Sequence, residues 1–279
     1  MIHRRSRAAT VLQYAALAGF IVFLSFPLLW MLSTSFKGPR ELVALVPSLV
    51  PVRPTLDNYG VAFGEQDLVR STANSLQLSL GSAILTVLIA LPAAYGLARH
   101  VTVLRRLTMS WILVSQIFPL ILIIIPLFLI LKTLHLLDSL AGLLIVYLVW
   151  SLPFTLWMLQ SYVKAIPIDL EEAASIDGAG RARILRAIVL PLLAPGIVVA
   201  ALFAFISAWN EFFFALVVLQ SPELATLPLT LARFIGSEGV VRLGPLAAAS
   251  FIATLPSLVF FSVIQRHLRS GLLAGGVKG

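Results

Sequence analysis

An ionisable side chain interrupts one of the long apolar stretches of this sequence. Glu211 stands in the segment Ser207-Ala208-Trp209-Asn210-Glu211-Phe212, inside an apolar run over 192–219. A carboxylate at membrane depth costs a few kcal/mol unless it faces protein or water, so it marks a candidate functional site. Together with Trp209 and Asn210, Glu211 is predicted either to line a polar pathway or to hold neighbouring helices together.

A second polar residue in an apolar run is Gln116, within 107–131. Amide and hydroxyl side chains in membrane helices often bridge neighbouring helices, and they also serve as ligand contacts. Gln116 therefore joins the candidate pathway residues, and both interpretations remain open.

The sequence lacks the motifs of most catalytic sites. It has no G-x-x-x-x-G-K-[ST] phosphate loop, no H-E-x-x-H metal motif and no cysteine. Its four histidines fall in predicted loops or at predicted helix ends, namely His3, His100, His135 and His267. We therefore expect no catalytic residue, no metal site and no cofactor on this chain, and no ATP hydrolysis through a phosphate loop.

The loop over 162–191 contains the clearest local signals. Asp169 followed by Glu172 has the spacing of a helix N-cap and its reciprocal acid, which predicts a short helix over 170–176. Gly178 and Gly180 then break that helix, because glycine readily adopts turn conformations.

A second short helix is predicted in the same loop, from Arg181 to a stop near Pro191. Each helix has a small apolar face, formed by Leu170, Ala173 and Ala174 in the first and by Ile184, Leu185 and Ile188 in the second. Such helices suit docking into the groove of a soluble partner or lying on the lipid surface. The residues alone leave both possibilities open.

The elements that must position these residues are membrane-spanning helices. The 279 residues are 59% apolar and 11% charged, with a mean hydropathy of +1.01. Backbone groups in lipid must pair internally, so apolar runs of about 20 residues predict spanning helices. Six such runs lie at 11–36, 72–98, 107–131, 138–161, 192–219 and 245–265. The predicted fold is an all-α integral membrane protein with six transmembrane helices in one domain, 1–279.

The distribution of basic residues predicts the orientation. An inside N-terminus places thirteen of the 20 Lys and Arg in cytoplasmic segments, which are Arg4, Arg5, Arg7, Arg99, Arg105, Arg106, Lys164, Arg181, Arg183, Arg186, Arg266, Arg269 and Lys278. This is the positive-inside pattern. It predicts an outer loop at 37–71, a cytoplasmic loop at 162–191 and a cytoplasmic tail at 266–279, and it explains the basic charge without nucleic acid.

The cytoplasmic loop also carries a family motif. Glu172-Ala173-Ala174, three residues, Gly178, nine residues and then Ile188-x-Leu190-Pro191 give the pattern E-A-A-x3-G-x9-I-x-L-P. This resembles the EAA loop of bacterial ABC-importer permeases. Further likeness lies at Leu56-Asp57-Asn58-Tyr59, Asn74-Ser75-Leu76, Ala93 to Arg99, Trp209 to Phe212 and in the C-terminal tail. The fifth-helix and tail segments are similar to those of the maltose-permease-like carbohydrate branch.

The resemblance implies a division of labour among subunits. The loop would be the coupling helix that docks into a separate ATPase, with the coupling residues Glu171, Glu172, Ala173, Ala174, Asp177 and Gly178. Glu172 would be the polar anchor and Gly178 the turn. The implied partners are a second permease subunit, an ATPase dimer that binds ATP and Mg²⁺, an extracytoplasmic solute-binding protein and membrane lipid. The implied location is the bacterial cell membrane, with both termini in the cytoplasm, and the implied cargo is a sugar.

Two other functions compete with this expectation. An ion-gradient-driven secondary transporter would use Glu211 for proton coupling and would need no partner at the cytoplasmic loop. A membrane scaffold would use the same loop only to recruit a soluble protein. The spacing of the EAA residues argues against the first, and the proline-containing spans with Glu211 argue against the second.

Overall fold

The computed structural model describes residues 7–65, 67–100, 103–236 and 241–275. The helices are α1 Arg7–Ser35, α2 Pro39–Leu42, α3 Asp57–Glu65, α4 Leu68–Arg99, α5 Val103–Ile117, α6 Leu120–Thr133, α7 Leu140–Ala165, α8 Asp169–Ile176, α9 Arg181–Ile184, α10 Leu190–Trp209, α11 Phe213–Val218, α12 Leu227–Ala232 and α13 Leu243–Gly275. A π-helical turn, Leu185–Val189, joins α9 to α10, and a 3-10 turn covers Pro222–Leu224. The only strand pairing within these ranges is an isolated bridge between Ile235 and Val241.

The described helices confirm the predicted all-α membrane architecture. Five of them are long and apolar enough to cross a membrane, at Thr10–Ser35, Leu68–Arg99, Leu140–Ala165, Arg181–Trp209 and Leu243–Ser262. The sixth candidate span is the bent pair formed by α5 and α6. A helix pairs most of its backbone groups within the segment, as lipid requires of a span.

The third predicted run, 107–131, is divided between two helices in the structure. Helices α5 and α6 meet at Phe118 and Pro119 with a bend of 105°. The proline ring disfavours helical backbone at the residue before it, and its nitrogen cannot donate to the preceding turn. Gln116 therefore lies just before a sharp break, in the last turn of α5.

The fifth predicted run, 192–219, is also interrupted. Helix α10 ends at Trp209, and α11 begins at Phe213. The apolar composition continues through the break, so hydropathy alone could not reveal it. Glu211 consequently lies between two helices rather than within one.

The chain divides into two compact units, and the coupling loop belongs to the unit formed by 69–229 and 256–279. Small side chains dominate one packing cluster of this unit, in which Ala90, Ala94 and Ala200 surround Leu159. The hydrophobic effect does not drive helices together in lipid, so such residues stabilise by allowing close van der Waals packing. At Gly196 the packing leaves no room for a side chain, because an added Cβ would lie 2.6 Å from the Tyr162 ring of α7.

Polar side chains at the start of α4 fasten the segment that precedes α12. The amide nitrogen of Asn74 donates to the carbonyl oxygens of Glu223 and Ala225, both at 3.0 Å. The hydroxyl of Ser75 accepts the backbone N–H of Leu227 at 2.7 Å. These buried side chains therefore satisfy backbone groups of another element, as expected for amide and hydroxyl groups at membrane depth.

The second unit consists of 1–68 and 230–255. In this unit the amide of Asn58 on α3 donates to the carbonyl oxygens of Ser35 and Lys37 at 2.9 and 2.8 Å. Gly244 lies so close that a Cβ there would be 2.3 Å from the Asn58 side chain. The segment predicted as the outer loop, 37–71, thus contains α2, α3 and the first residues of α4, and the hydrogen bond from Asn58 to Lys37 lies within it.

Several predicted features lie outside the described residues. Arg4 and Arg5 of the basic N-terminus belong to this group, as do residues 276–279 of the predicted tail. Helix α13 covers the tail up to Gly275.

Candidate functional site

Helix α8 begins one residue earlier than the sequence predicts. The predicted N-cap at Asp169 is wrong, because Ile168 occupies that position and makes no side-chain cap. The Ile168 carbonyl already accepts the N–H groups of Glu171 and Glu172 at 2.8 and 3.0 Å. Asp169 is thus the first helical residue, and it places a negative charge in the first turn beside those of Glu171 and Glu172, where the helix dipole stabilises them.

The C-terminal end of α8 is closed by a Schellman motif. The Ala179 N–H donates to the Ala174 carbonyl at 2.9 Å, and the Gly178 N–H donates to the Ser175 carbonyl at 3.1 Å. Gly178 has a φ of +83°, in the left-handed region that this motif requires and that glycine adopts without a Cβ penalty. Asp177 is the C-cap residue. The predicted turn at Gly178 therefore has a definite backbone cause.

The second short helix does not stop near Pro191, contrary to the sequence prediction. Arg181 begins a continuous 29-residue helical stretch that ends at Trp209. The π-helical turn over Leu185–Val189 ends two residues before Pro191 and changes the hydrogen-bond register there. Such a turn lets the backbone continue past a residue that cannot donate. The coupling loop thus runs without interruption into a membrane span.

The neighbouring acids Glu171 and Glu172 lie in different environments. Glu171 is buried, with one carboxylate oxygen 2.8 Å from Arg99 Nε and 2.6 Å from Arg99 Nη2. Its other oxygen accepts the Tyr95 hydroxyl at 2.6 Å. Glu172 is exposed. Of the two, only Glu172 is available to a partner, and Glu171 holds α8 to the end of α4.

The exposed side of α8 combines acidic, small and large apolar side chains. Ala173 and Asp177 are exposed with Glu172, and Ile176 is 86% exposed. Such a surface suits a protein partner, because its apolar side chain can enter a cleft of the partner while its acid pairs with a basic residue of the partner. Of the six predicted coupling residues, Glu172, Ala173, Asp177 and Gly178 are exposed, whereas Ala174 packs on an apolar cluster and Glu171 is buried.

Glu211 has a full set of hydrogen-bond donors. One carboxylate oxygen accepts the Phe214 N–H at 2.7 Å, and the other accepts the Ala215 N–H at 3.1 Å and the Tyr147 hydroxyl at 3.0 Å. The carboxylate thus occupies the place of a cap for the first turn of α11 and fastens it to α7. This geometry agrees with the prediction that Glu211 holds helices together.

The other pathway candidates differ in exposure. Trp209 is buried and stacks on Phe205, with ring centroids 5.8 Å apart and an angle of 10°. Asn210 is exposed and donates to the Ile206 carbonyl of its own helix at 3.0 Å. Gln116 is exposed on α5, and none of the hydrogen bonds in the described part of the chain joins it to Glu211. The structure therefore groups Trp209, Asn210 and Glu211 and leaves Gln116 separate.

Arg99 and Tyr95 are the residues of this site that sequence reasoning missed. In the sequence both residues lie in the segment from Ala93 to Arg99, which resembles the family at the end of a predicted span. Arg99 is also one of the basic residues that predict the cytoplasmic side. Their partner Glu171 is 72 and 76 positions away for Arg99 and Tyr95 respectively. Only the pairing of a helix-end arginine with two adjacent acids in the loop could have suggested the contact.

The known proteins that this chain resembles belong to one family of transport proteins. Residues 86–273 match the family described as "Binding-protein-dependent transport system inner membrane component". A protein of Streptomyces antibioticus assigned as an ABC transporter permease is 58% identical over 82% of this chain and 100% of the relative. The sulfoquinovosyl glycerol transport system permease SmoH of Agrobacterium fabrum is 40% identical over 96% of this chain and 94% of its own length. The diacetylchitobiose uptake system permease DasC of Streptomyces coelicolor is 36% identical, covering 92% of each chain.

A solved structure supports the fold. A chain from a bacterial ABC transporter that imports the acidic polysaccharide alginate superposes with a TM-score of 0.78, at 24% identity, over 95% of this chain and 98% of that chain. This similarity confirms the predicted fold of an ABC-importer permease. The chain belongs to the family of inner membrane components of binding-protein-dependent transport systems.

Proposed function

We propose that this permease subunit moves a carbohydrate across the bacterial inner membrane, with energy from ATP hydrolysis on a separate subunit. The relatives named above transport a glycosylated glycerol and an amino-sugar disaccharide, and a third relative is a trehalose permease of Mycobacterium tuberculosis. These share a small, neutral or acidic glycoside as cargo. The proposed substrate class is therefore a di- or oligosaccharide or a glycosylated glycerol.

The observation that carries the proposal is the structure of α8 and its connection to the membrane span. The helix presents Glu172, Ala173 and Ile176 outward, and its Schellman turn leads directly into a membrane span. A partner that moves α8 therefore acts on transmembrane structure through a short, well-defined connection. We propose that this partner is an ATPase dimer that binds ATP and Mg²⁺, and that Glu172 is the polar anchor between the two proteins.

Further partners follow from the same proposal. A single permease subunit would supply half of the pathway, and a second permease subunit would supply the other half. A solute-binding protein would deliver the sugar from outside, on the side of the 37–71 segment, with both termini of the permease in the cytoplasm. A solved alginate transporter complex contains a pentasaccharide-bound periplasmic protein, which supports such an arrangement by analogy of fold.

Ion-driven transport through Glu211 is the alternative. A proton-coupling carboxylate must gain and lose its proton as substrate moves, with a corresponding change of partners. The Glu211 carboxylate instead accepts three hydrogen bonds that fix the start of α11. Proton uptake there would weaken two backbone contacts, so the geometry favours a structural role over an ion-coupling role.

The proposed coupling role is tested by purifying the tagged chain gently from its own host and identifying the proteins that accompany it. Reversing the charge of Glu172 with Glu172→Arg should reduce ATPase recovery at least tenfold, about 1.4 kcal/mol of binding free energy. Glu223→Arg is a matched control, because Glu223 is also exposed. It lies between the fifth and sixth predicted spans, on the side of the membrane opposite the 162–191 loop. Recovery of an ATPase that is unaffected by Glu172→Arg would contradict the anchor role.

A further inference from the structure

Three side chains join the coupling helix to the end of α4. Glu171 of α8 receives two contacts from Arg99, at 2.8 and 2.6 Å, and one from the Tyr95 hydroxyl at 2.6 Å. Arg99 also donates from Nη2 to the Ile166 carbonyl, the C-cap residue of α7, at 3.0 Å. One guanidinium therefore connects the ends of α4 and α7 with the first turn of α8.

Burial makes the ion pair between Arg99 and Glu171 stronger than an ion pair on the protein surface. The side chains of Arg99 and Glu171 are only 12% and 10% exposed. A pair that is shielded from water is screened less by salt, and removing one partner leaves a buried charge without compensation. The Tyr95 hydroxyl and the Ile166 carbonyl satisfy further polar groups of the pair, which is the condition under which such pairs are stable.

Helix α8 has few other attachments. It contains eight residues, fewer than an isolated helix needs to persist in water. Leu170 is 45% exposed and Ile176 is 86% exposed. Ala174 is the one α8 residue that packs on the neighbouring apolar cluster of Val163, Ile166, Ile184, Val189 and Leu193 among the described residues. The position of α8 therefore depends on the Glu171 contacts, on the packing of Ala174 and on its two covalent connections.

We propose that Arg99, Glu171 and Tyr95 form a transmission clamp, which makes α4 move together with the coupling helix during transport. The proposal rests on the proposed ATPase-coupled function and assigns to Glu171 a role different from docking. Glu172 meets the partner, whereas Glu171 passes the displacement to α4. The α9–α10 connection moves one span directly through the backbone, and the clamp recruits a second span that is distant in sequence.

The test compares single and double charge reversals in the complex purified from its host. Arg99→Glu and Glu171→Arg each place like charges together, whereas the double variant restores an opposite pair in reversed order. Tyr95→Phe removes only a hydroxyl. Lys164→Glu is the control, because Lys164 is an exposed charge in the last turn of α7. Each complex is reconstituted in vesicles, and uptake of radiolabelled trehalose, diacetylchitobiose and sulfoquinovosyl glycerol is measured together with ATP hydrolysis.

The clamp predicts that each single reversal lowers the amount of sugar transported per ATP hydrolysed at least tenfold. The double variant should recover to within about threefold of the native chain, Tyr95→Phe should lose about threefold, and Lys164→Glu should match the native chain. The ratio separates coupling from stability, because unfolded protein lowers transport and hydrolysis together.

Three results would overturn the clamp. The first is a native ratio in both single variants. The second is loss of the assembled complex in the single variants without recovery in the double variant, which would show a purely structural contact. The third is a native preparation without any ATPase, and this would overturn the proposed function as well as the clamp.

Discussion

At the scale of single residues, Gly178 and Gly180 show how backbone conformation separates two similar positions. An added Cβ meets no atom within 4 Å at either position, so space does not distinguish them. Gly178 has a φ of +83° within the Schellman turn, whereas Gly180 has a φ of −70° as the residue before α9. Only Gly178 therefore needs glycine for its backbone.

This difference predicts unequal effects of the same substitution. Gly178→Ala should cost about 1–2 kcal/mol in the turn, because a Cβ is unfavourable in the left-handed region. It should reduce both ATPase recovery and ATP-driven uptake, whereas Gly180→Ala should leave both near the native level. The measurement is the amount of ATPase that co-purifies with each variant. Equal recovery from the two variants would show that the turn geometry does not govern docking.

Glu211 allows a second prediction at this scale. Glu211→Ala removes the acceptor for the Phe214 and Ala215 N–H groups and for Tyr147, and should cost about 1–3 kcal/mol through the unpaired buried donors. Glu211→Gln keeps one acceptor oxygen and should retain more ATP-driven uptake. The check is vesicle uptake by both variants at equal membrane insertion. Complete loss in Glu211→Gln, together with sensitivity to a protonophore in the native chain, would favour ion coupling instead.

At the scale of elements, the contact between α7 and α10 requires glycine at position 196, because no side chain fits there. Gly196→Ala would place a Cβ 2.6 Å from the Tyr162 ring and force the two helices apart, at a cost of about 1–3 kcal/mol. Gly96→Ala is the matched control, since Gly96 is also helical and has open space. Thermal unfolding in detergent should show a lower melting temperature for Gly196→Ala alone. Equal melting temperatures would contradict the close packing.

The connection between α6 and α7 carries a pH-dependent contact. Hydrogen bonds from the Ser221 hydroxyl and from the Ser221 and Gln220 N–H groups hold the pKa of the Asp138 carboxyl below its ordinary value of 3.8. A lowered pKa in the folded state means that the contact stabilises fully above the ordinary value. Its contribution is lost as the pH falls through the lowered pKa.

The lowered pKa of Asp138 predicts how the melting temperature of the chain responds to acid. Asp138→Asn should melt below the native chain at neutral pH, because the charge-assisted hydrogen bonds are weakened. The difference should stay constant above pH 5 and begin to narrow near about pH 4, where the carboxyl of the unfolded chain takes up a proton. It should disappear once the pH is below the lowered pKa of the folded carboxyl. Melting curves of both proteins across this range provide the test. A difference that persists unchanged in acid would rule out the carboxylate as its source.

The sequence predicted elements better than it predicted their ends. Long apolar runs identified the spans because lipid requires helices over such stretches, and the glycine pair located the turn after α8. Hydropathy is continuous across Pro119 and Glu211, so it could reveal neither the 105° bend between α5 and α6 nor the end of α10. The helix that continues past Pro191 was missed because the π-helical turn that accommodates the proline has no composition of its own.

At the scale of the whole molecule, motif spacing predicted the family, and three-dimensional contact separated the roles of residues within the motif. The EAA spacing is a property of the sequence, and it predicted the family that the comparisons show. The burial of Glu171 against Arg99 and Tyr95 depends on the meeting of helices 72 or more residues apart. No local pattern encodes such a pairing, so adjacent acids with different environments could not be distinguished from the sequence.

The central claim is that this chain transports a carbohydrate only as part of an ATP-driven complex. It is tested most directly by uptake into vesicles that contain the complex purified through this chain, with ATP enclosed and the co-purified binding protein outside. We expect uptake of a glycoside that requires both ATP and the binding protein and that is unaffected by a protonophore. Uptake by this chain alone, driven by an ion gradient without ATP, would contradict the account.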